Sequence, residues 1–284
     1  MSRLMPIHGN QPALRGLVAA LFLFLLAIPF GACGSESGTG VTGSVEQLPP
    51  PPPASIDPSH FVRHVDNPYF PLNPGTTYRN RGVKEGKQAV DVFAVTHRTK
   101  KILGVTNTVV DDKLYVDGRL EEVAHDWYTQ DRKGNVWYFG ETIQEYDAKG
   151  NRIKAKGAWE AGVDGARAGI VMPASPQVGD SFRPEYYRGK AEDVYRIVDV
   201  NASVTVPYRS FPNVLVMSEQ SRLEPGVLGL KYHAPGFGQI KESVAQGPHE
   251  TLGLVSVARG NRDATKAGDS TGPGADETHD VLMT

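Results

Sequence analysis

The sequence predicts an all-β fold, a curved antiparallel sheet forming a half-barrel or open barrel. Three observations carry this reading. Apolar residues follow a period of two: in Gln88 to His97, Val90, Val92 and Ala94 share one face while Asp91, Phe93 and Val95 share the other. Turn residues recur about every 10 positions, which predicts roughly ten to twelve strands. No stretch of 12 residues has the pattern of an amphipathic helix.

The chain opens with a segment of another kind. Leu17 to Phe30 is almost unbroken apolar sequence, preceded by Arg3 and Arg15 and by no acidic residue. A basic start, a short apolar core and a small-residue cleavage site make an export signal over residues 1–32. The apolar run is short of the ~20 residues that span a bilayer as a helix. Phe30-Gly31-Ala32-Cys33 resembles a bacterial lipobox and departs from its usual pattern at Phe30. That resemblance implies lipidation of Cys33, the single cysteine, and a membrane partner through it; Gly34 after it permits outer-membrane sorting. The other reading is a plain secretory signal cleaved after Ala32, with Cys33 a stray thiol.

Residues 33–58 read as the anchor and its tether. Gly38, Gly40 and Gly43 give flexibility, and the run Pro49 to Pro53 favours extended polyproline II without packed structure. Residues 59–259 form a single β domain. Residues 260–284 are acidic, lack aromatics and read as a disordered tail. After loss of the signal the chain holds 28 basic and 32 acidic residues, too balanced for a nucleic-acid partner. With Cys33 committed, no cysteine remains for a disulfide or thiolate metal site, and no cofactor is implied.

Within the domain, strands are expected at about 105–116, 119–129, 136–146 and 151–158. Asp117-Gly118 marks a type I′ hairpin, and Asp131 to Asn135 and Asp147 to Asn151 mark two more. The Asp131 turn lacks the oxygen ligands of a calcium loop. Residues 161–180, rich in Gly, Ala and Pro, read as a long surface loop, serving as a lid or a plain crossover. Residues 188–198 suit a short helix less well than a strand running on to Val206. Alternation returns at Val204 and Val206, at Val214 and Val216, and over Thr251 to Val257.

Trp127-Tyr128 and Trp137-Tyr138-Phe139 flank the Asp131 turn. If Gln130 pairs with Asn135, Tyr128 faces Trp137 and Trp127 faces Tyr138. Each such pair contributes about 0.2–1 kcal/mol. Both faces of this hairpin then carry rings. One face packs on the core; the other is either covered by another element or forms an apolar groove. Trp127, Trp137, Tyr138 and Trp159 are the expected lining of such a groove, its occupant an apolar ligand, a lipid or an envelope protein.

No catalytic motif survives its context. Gly268-Asp269-Ser270-Thr271-Gly272 matches a nucleophile elbow but lies in the tail, and Gly162 to Gly169 lacks phosphate-loop spacing. His125, Asp126 and Glu141 are the weak catalytic candidates, brought together if their strands pair, as an acid/base or metal-dependent hydrolase would need. A cross-strand polar pair on a solvated face explains them more simply. The expectation is a non-enzymatic protein with no metal site.

Val204 to Val216, followed by Lys231-Tyr232-His233-Ala234-Pro235-Gly236-Phe237-Gly238-Gln239-Ile240-Lys241-Glu242, resembles a pattern of exported bacterial β-rich lipoproteins. Asp126 to Asp131 with Gly134 to Glu141 resembles the same group. The resemblance implies a half-barrel like that of lipoprotein carriers and an envelope location, and it carries no assigned activity. Pro235-Gly236 suits a type II turn, Gly238 a return to strand at a bulge, and His233 reads as a surface residue at a strand end.

Overall fold

Asp117 and Gly118 both occupy the left-handed region, at φ 49° and 75°. Their turn therefore matches the right-handed twist of the strands it joins. The computed structural model, which describes residues 48–155 and 157–260, consists largely of strands linked in this way. The signal, Cys33, the first part of the tether and residues 261–284 lie outside the described residues.

In chain order the strands are β1 (Phe61–Val62), β2 (Thr76–Lys84), β3 (Lys87–Ile102), β4 (Val105–Val116), β5 (Arg119–Asp131), β6 (Val136–Tyr146), β7 (Arg152–Ile153) and β8 (Trp159–Glu160). They continue as β9 (Arg167–Met172), β10 (Ser181–Phe182), β11 (Glu185–Tyr186), β12 (Asp193–Val206), β13 (Arg209–Ser221), β14 (Leu228–Ala234), β15 (Gly238–Gln246) and β16 (Glu250–Arg259). All sixteen described strands join one antiparallel, open, curved sheet in the order β10-β12-β13-β14-β15-β16-β2-β3-β4-β5-β6-β9-β11. β1 pairs with β5, while β7 and β8 pair with β6. The sole helical turn among the described residues is 3-10, Pro58–His60. Pairing of β16 with β2 joins the end of the domain to its beginning and makes the sheet continuous.

Register shifts bend the sheet. They fall between Asp126 and Tyr128 in β5, between Tyr232 and His233 in β14, and at three points along β12. Each bulge adds local twist. The expected all-β open half-barrel is what the chain forms, with more strands than ten to twelve because several are two residues long.

Three local expectations change. The Asp131 hairpin pairs Gln130 with Val136, not Asn135, because Asp131 N donates to Asn135 O and Asp131 Oδ1 accepts from Asn135 N inside the turn. Tyr128 therefore faces Tyr138, and Thr129 faces Trp137. Residues 161–180 are not one surface loop, since β9 lies within them, paired to both β6 and β11. Its small residues admit neighbours closely: a Cβ on Gly169 would fall 2.1 Å from Arg183 O. Covered on both faces, β9 has no alternation to read. Over 188–198 the strand, β12, prevails from Asp193 onward.

The last part of the tether packs against the domain. Arg183 Nε donates to Pro49 O at 2.9 Å, Arg167 Nη1 donates to Pro52 O at 3.1 Å, and Ile56 packs on the core. Polyproline II makes no internal hydrogen bonds, so its carbonyls are free to accept such donors.

Both faces of the aromatic hairpin are covered. On the outer side, Phe61 meets Trp137 and Phe139 edge-on at 5.7 and 5.6 Å, and the Lys100 ammonium sits 3.3 Å above the Trp127 ring. On the inner side, Tyr128 stacks on Tyr138 at 4.8 Å, and Trp159 meets Tyr138 edge-on.

Candidate functional site

The concave face is aromatic and acidic together. Alternation along β2, β3 and β4 turns Tyr78 and Asn80, Asp91 and Phe93, and Asp112 inward. From the far side β14 and β15 contribute Lys231, His233 and Glu242. These side chains line a cavity of about 100 Å³. Phe70, Tyr128, Tyr195 and Phe237 complete its aromatic wall.

Residues 66–72 cover one side of the cavity and are pinned to the sheet. Gln130 Oε1 accepts from the Asp66 and Asn67 backbone N–H groups at 2.9 Å, and Gln130 Nε2 donates to Asp66 Oδ1 at 2.7 Å. Asn67 Nδ2 donates to Gly134 O and Pro173 O. Phe70 then lies against both Tyr128 and His233. The turn before β15 is fixed to the same segment, Gly236 N donating to Pro68 O at 2.7 Å.

His233 is a correction to its reading as a surface residue: it is 1% exposed. His233 follows Lys231 by two positions in β14, and that alternation turns both to the inner face. Its Nδ1 lies 3.1 Å from Tyr69 O. A carbonyl oxygen only accepts, so Nδ1 carries the hydrogen and Nε2 is an acceptor. Burial pushes the imidazole down to about 3, so it is neutral at ordinary pH.

Hydrogen bonding leaves several buried acceptors in the cavity wall unmatched. Asn80 Nδ2 donates to Asp91 Oδ2 at 2.8 Å. Asn80 Oδ1, Asp91 Oδ1, Asp112 Oδ1, Glu242 Oε1 and His233 Nε2 are buried and have no hydrogen-bond partner in the protein. Leaving such an atom unmatched costs about 1–3 kcal/mol. Asp112 is held well above the usual carboxylate range by burial and then by Asp91.

Deeper in the sheet the acids continue. Tyr138 Oη donates to Asp126 Oδ1 at 2.8 Å, and Asp126 pairs across strands with Glu141. Burial pushes Asp126 up to about 7 and raises Glu141, each reinforced by neighbouring carboxylates. Burial likewise carries Glu122 and Glu185 up to about 8. Lys231 is the cation set among them, 3.2 Å from Glu219 and 3.4 Å from Glu242. Burial would lower its ammonium, yet those two carboxylates outweigh burial and raise it.

The structure divides the residues named from sequence. His125 does not meet Glu141. Its partner across the strands is Thr142, and its Nδ1 bonds Asp111 Oδ1 at 2.6 Å on the outer face, while Asp126 and Glu141 are buried inside. The period of two places neighbours on opposite faces, and the bulge at Asp126/Tyr128 does not reverse this. Among the described residues no three His, Asp or Glu side chains converge as a metal ion requires. Trp127 and Trp137 lie on the outer side and Tyr138 and Trp159 on the inner side; none of the four lines the cavity. Cys33 lies outside the described residues. The residues that do line it run from Phe70 to Leu252 along the chain, so only the fold assembles them.

No protein-family profile matches the chain, and no curated protein sequence matches it. Among solved structures it is similar to a protein of Bacteroides fragilis described as exported, with a YmcC-like fold, at 12% identity and a TM-score of 0.40. That likeness covers 67% of this chain and 99% of the other. It is also similar to a protein of Parabacteroides distasonis described as a lipoprotein, at 12% identity and a TM-score of 0.36, over 67% of this chain and 98% of the other.

Proposed function

We propose that this chain is a non-enzymatic envelope protein, exported and tethered to a bacterial membrane through lipidated Cys33, that holds a small ligand in the concavity of its sheet. One observation carries the binding role: a cavity of about 100 Å³ walled by aromatic rings, with Asn80, Asp112, Lys231 and Gln239 among the polar side chains of its lining. Small-molecule sites combine apolar walls with a few convergent polar groups in this way. The signal, lipobox-like cysteine and tether support the location. Lys100 and Phe61 cover Trp127 and Trp137, which favours the interior over the outer side as the place for a ligand.

Thermal-shift screening of the full chain against small neutral, cationic and anionic molecules tests the binding role. At least one class raises the melting temperature in a concentration-dependent way. Val171→Phe, which fills the cavity wall, abolishes the rise while the protein stays folded. A library that stabilises neither protein, or both equally, rejects the reading.

A further inference from the structure

We infer that Arg167, Arg183 and Tyr186 form a recognition groove for a proline-rich strand, that its occupant is the chain's own run Pro49 to Pro53, and that this strap latches the seam where the two ends of the sheet meet. The strap is independent of what the cavity binds.

The seam follows from the topology. β10 and β11 are the two ends of the strand order. Only Arg183 and Pro184 lie between them in the sequence. β10 pairs with β12 through Ser181 and Phe182, and β11 pairs with β9 through Glu185 and Tyr186. Each pairing spans two residues, so few backbone hydrogen bonds hold this region. The same strands wall the cavity here: β9 supplies Val171 and β12 supplies Tyr195. Phe182 backs Tyr195 edge-on at 6.0 Å.

The proline run reaches both sides of the seam. Arg183, at the link between β10 and β11, donates through Nε to Pro49 O at 2.9 Å and through Nη1 to Glu192 O at 3.2 Å. Arg167, on β9, donates through Nη1 to Pro52 O at 3.1 Å. Both guanidinium groups lie over the Tyr186 ring, at 5.6 and 5.7 Å from its centroid. Pro52 is itself buried.

These contacts suit prolines in particular. Aromatic-lined grooves take proline-rich strands because polyproline II is preformed and loses little entropy on docking. Its carbonyls have no internal partner and accept from outside donors. Arg183 is 8% exposed, so loss of Pro49 O strands a charged donor where water reaches it poorly. Cys33 lies upstream of the strap, so the anchor proposed there meets the domain at this seam.

Hydrogen exchange read by mass spectrometry on the full chain tests the latch. Pro49→Gly combined with Pro52→Gly keeps both accepting carbonyls and removes the rings and the preformed backbone. Exchange over residues 167–172 and 181–197 is expected to quicken at least about tenfold, as loss of hydrogen bonds from charged donors implies, while β2 and β3 stay unchanged. Arg183→Gln gives the same pattern from the side of the groove; Arg167→Gln takes its place should that variant fail to fold. Unchanged exchange at the seam in the proline variant overturns the inference. So does a rise spread evenly over the whole sheet, which marks a general loss of stability. Either result leaves the binding role, read from the melting temperature, standing.

Discussion

Tyr138 gives its phenolic hydrogen to Asp126 at 2.8 Å, with both side chains buried on the inner face of adjacent strands. This bond is one of the few donors offered to the buried acids, and it sits directly behind the cavity wall formed by Tyr128.

Removing that hydroxyl leaves Asp126 without its donor. Tyr138→Phe is expected to destabilise the fold by about 1–3 kcal/mol in urea denaturation. Burial already places Asp126 at about 7, and the Tyr138 bond restrains it from rising further, so the variant titrates higher. A carbon-detected NMR titration showing Asp126 unmoved would contradict this assignment.

Stability should peak on the acid side of neutrality. Glu122 at about 8 and Asp126 at about 7 are raised by burial above their ordinary values, so the folded state binds protons that the unfolded chain releases. Their contribution is full below the ordinary carboxylate range and is lost as pH rises through 7 and 8. His233 acts in the other direction: its folded value of about 3 means its contribution is lost as pH falls below about 6.5. The melting temperature should drop by at least about 5 °C between pH 6 and pH 9, at roughly 2–4 °C per kcal/mol for a domain of this size. A flat or rising profile would count against a buried acidic interior.

Lys231 compensates Glu219 and Glu242, so its loss should itself depend on pH. Lys231→Met is expected to cost about 3–5 kcal/mol where Glu242 stays ionised. Burial carries Glu242 up to about 8, so the loss is smaller at pH 5, where Glu242 is protonated, than at pH 9. Equal losses at the two pH values would show that Glu242 does not change charge between them.

Two glycines with positive φ should respond very differently to alanine. Gly140, at φ 126°, lies at the bulge that keeps Glu141 on the inner face, and a Cβ there would fall 2.2 Å from Trp159 O. Gly118, at φ 75°, has open space around it. Gly118→Ala should cost about 1 kcal/mol from backbone strain alone, and Gly140→Ala several times more. Comparable denaturation midpoints for the two would contradict the close packing of β6 against β8.

The fold was legible where chemistry is local. Asp117-Gly118 names its own turn, and the alternation around Val90 and Val92 names its strand. β9 was hidden because Ala168 and Gly169 are small and covered on both sides, which removes the polar face that marks a strand. The register at Asp131 turned on hydrogen bonds inside the turn that composition does not display. The cavity was hidden for a further reason. Alternation separates two faces without saying which is inside, and Asp91, Asp112 and Glu242 look like residues of a solvated face. Curvature reverses that assignment by closing the acidic face on itself. His233 was missed in the same way, since it alternates in step with Lys231 on the face that curvature buries.

The most direct measurement is a high-resolution crystal structure of the full chain grown with a molecule that raises its melting temperature. The account predicts one bound molecule in the space between Asp112 and His233. Water alone in an open cavity, or Tyr78, Phe93 and Tyr128 collapsed so that no cavity remains, would contradict it.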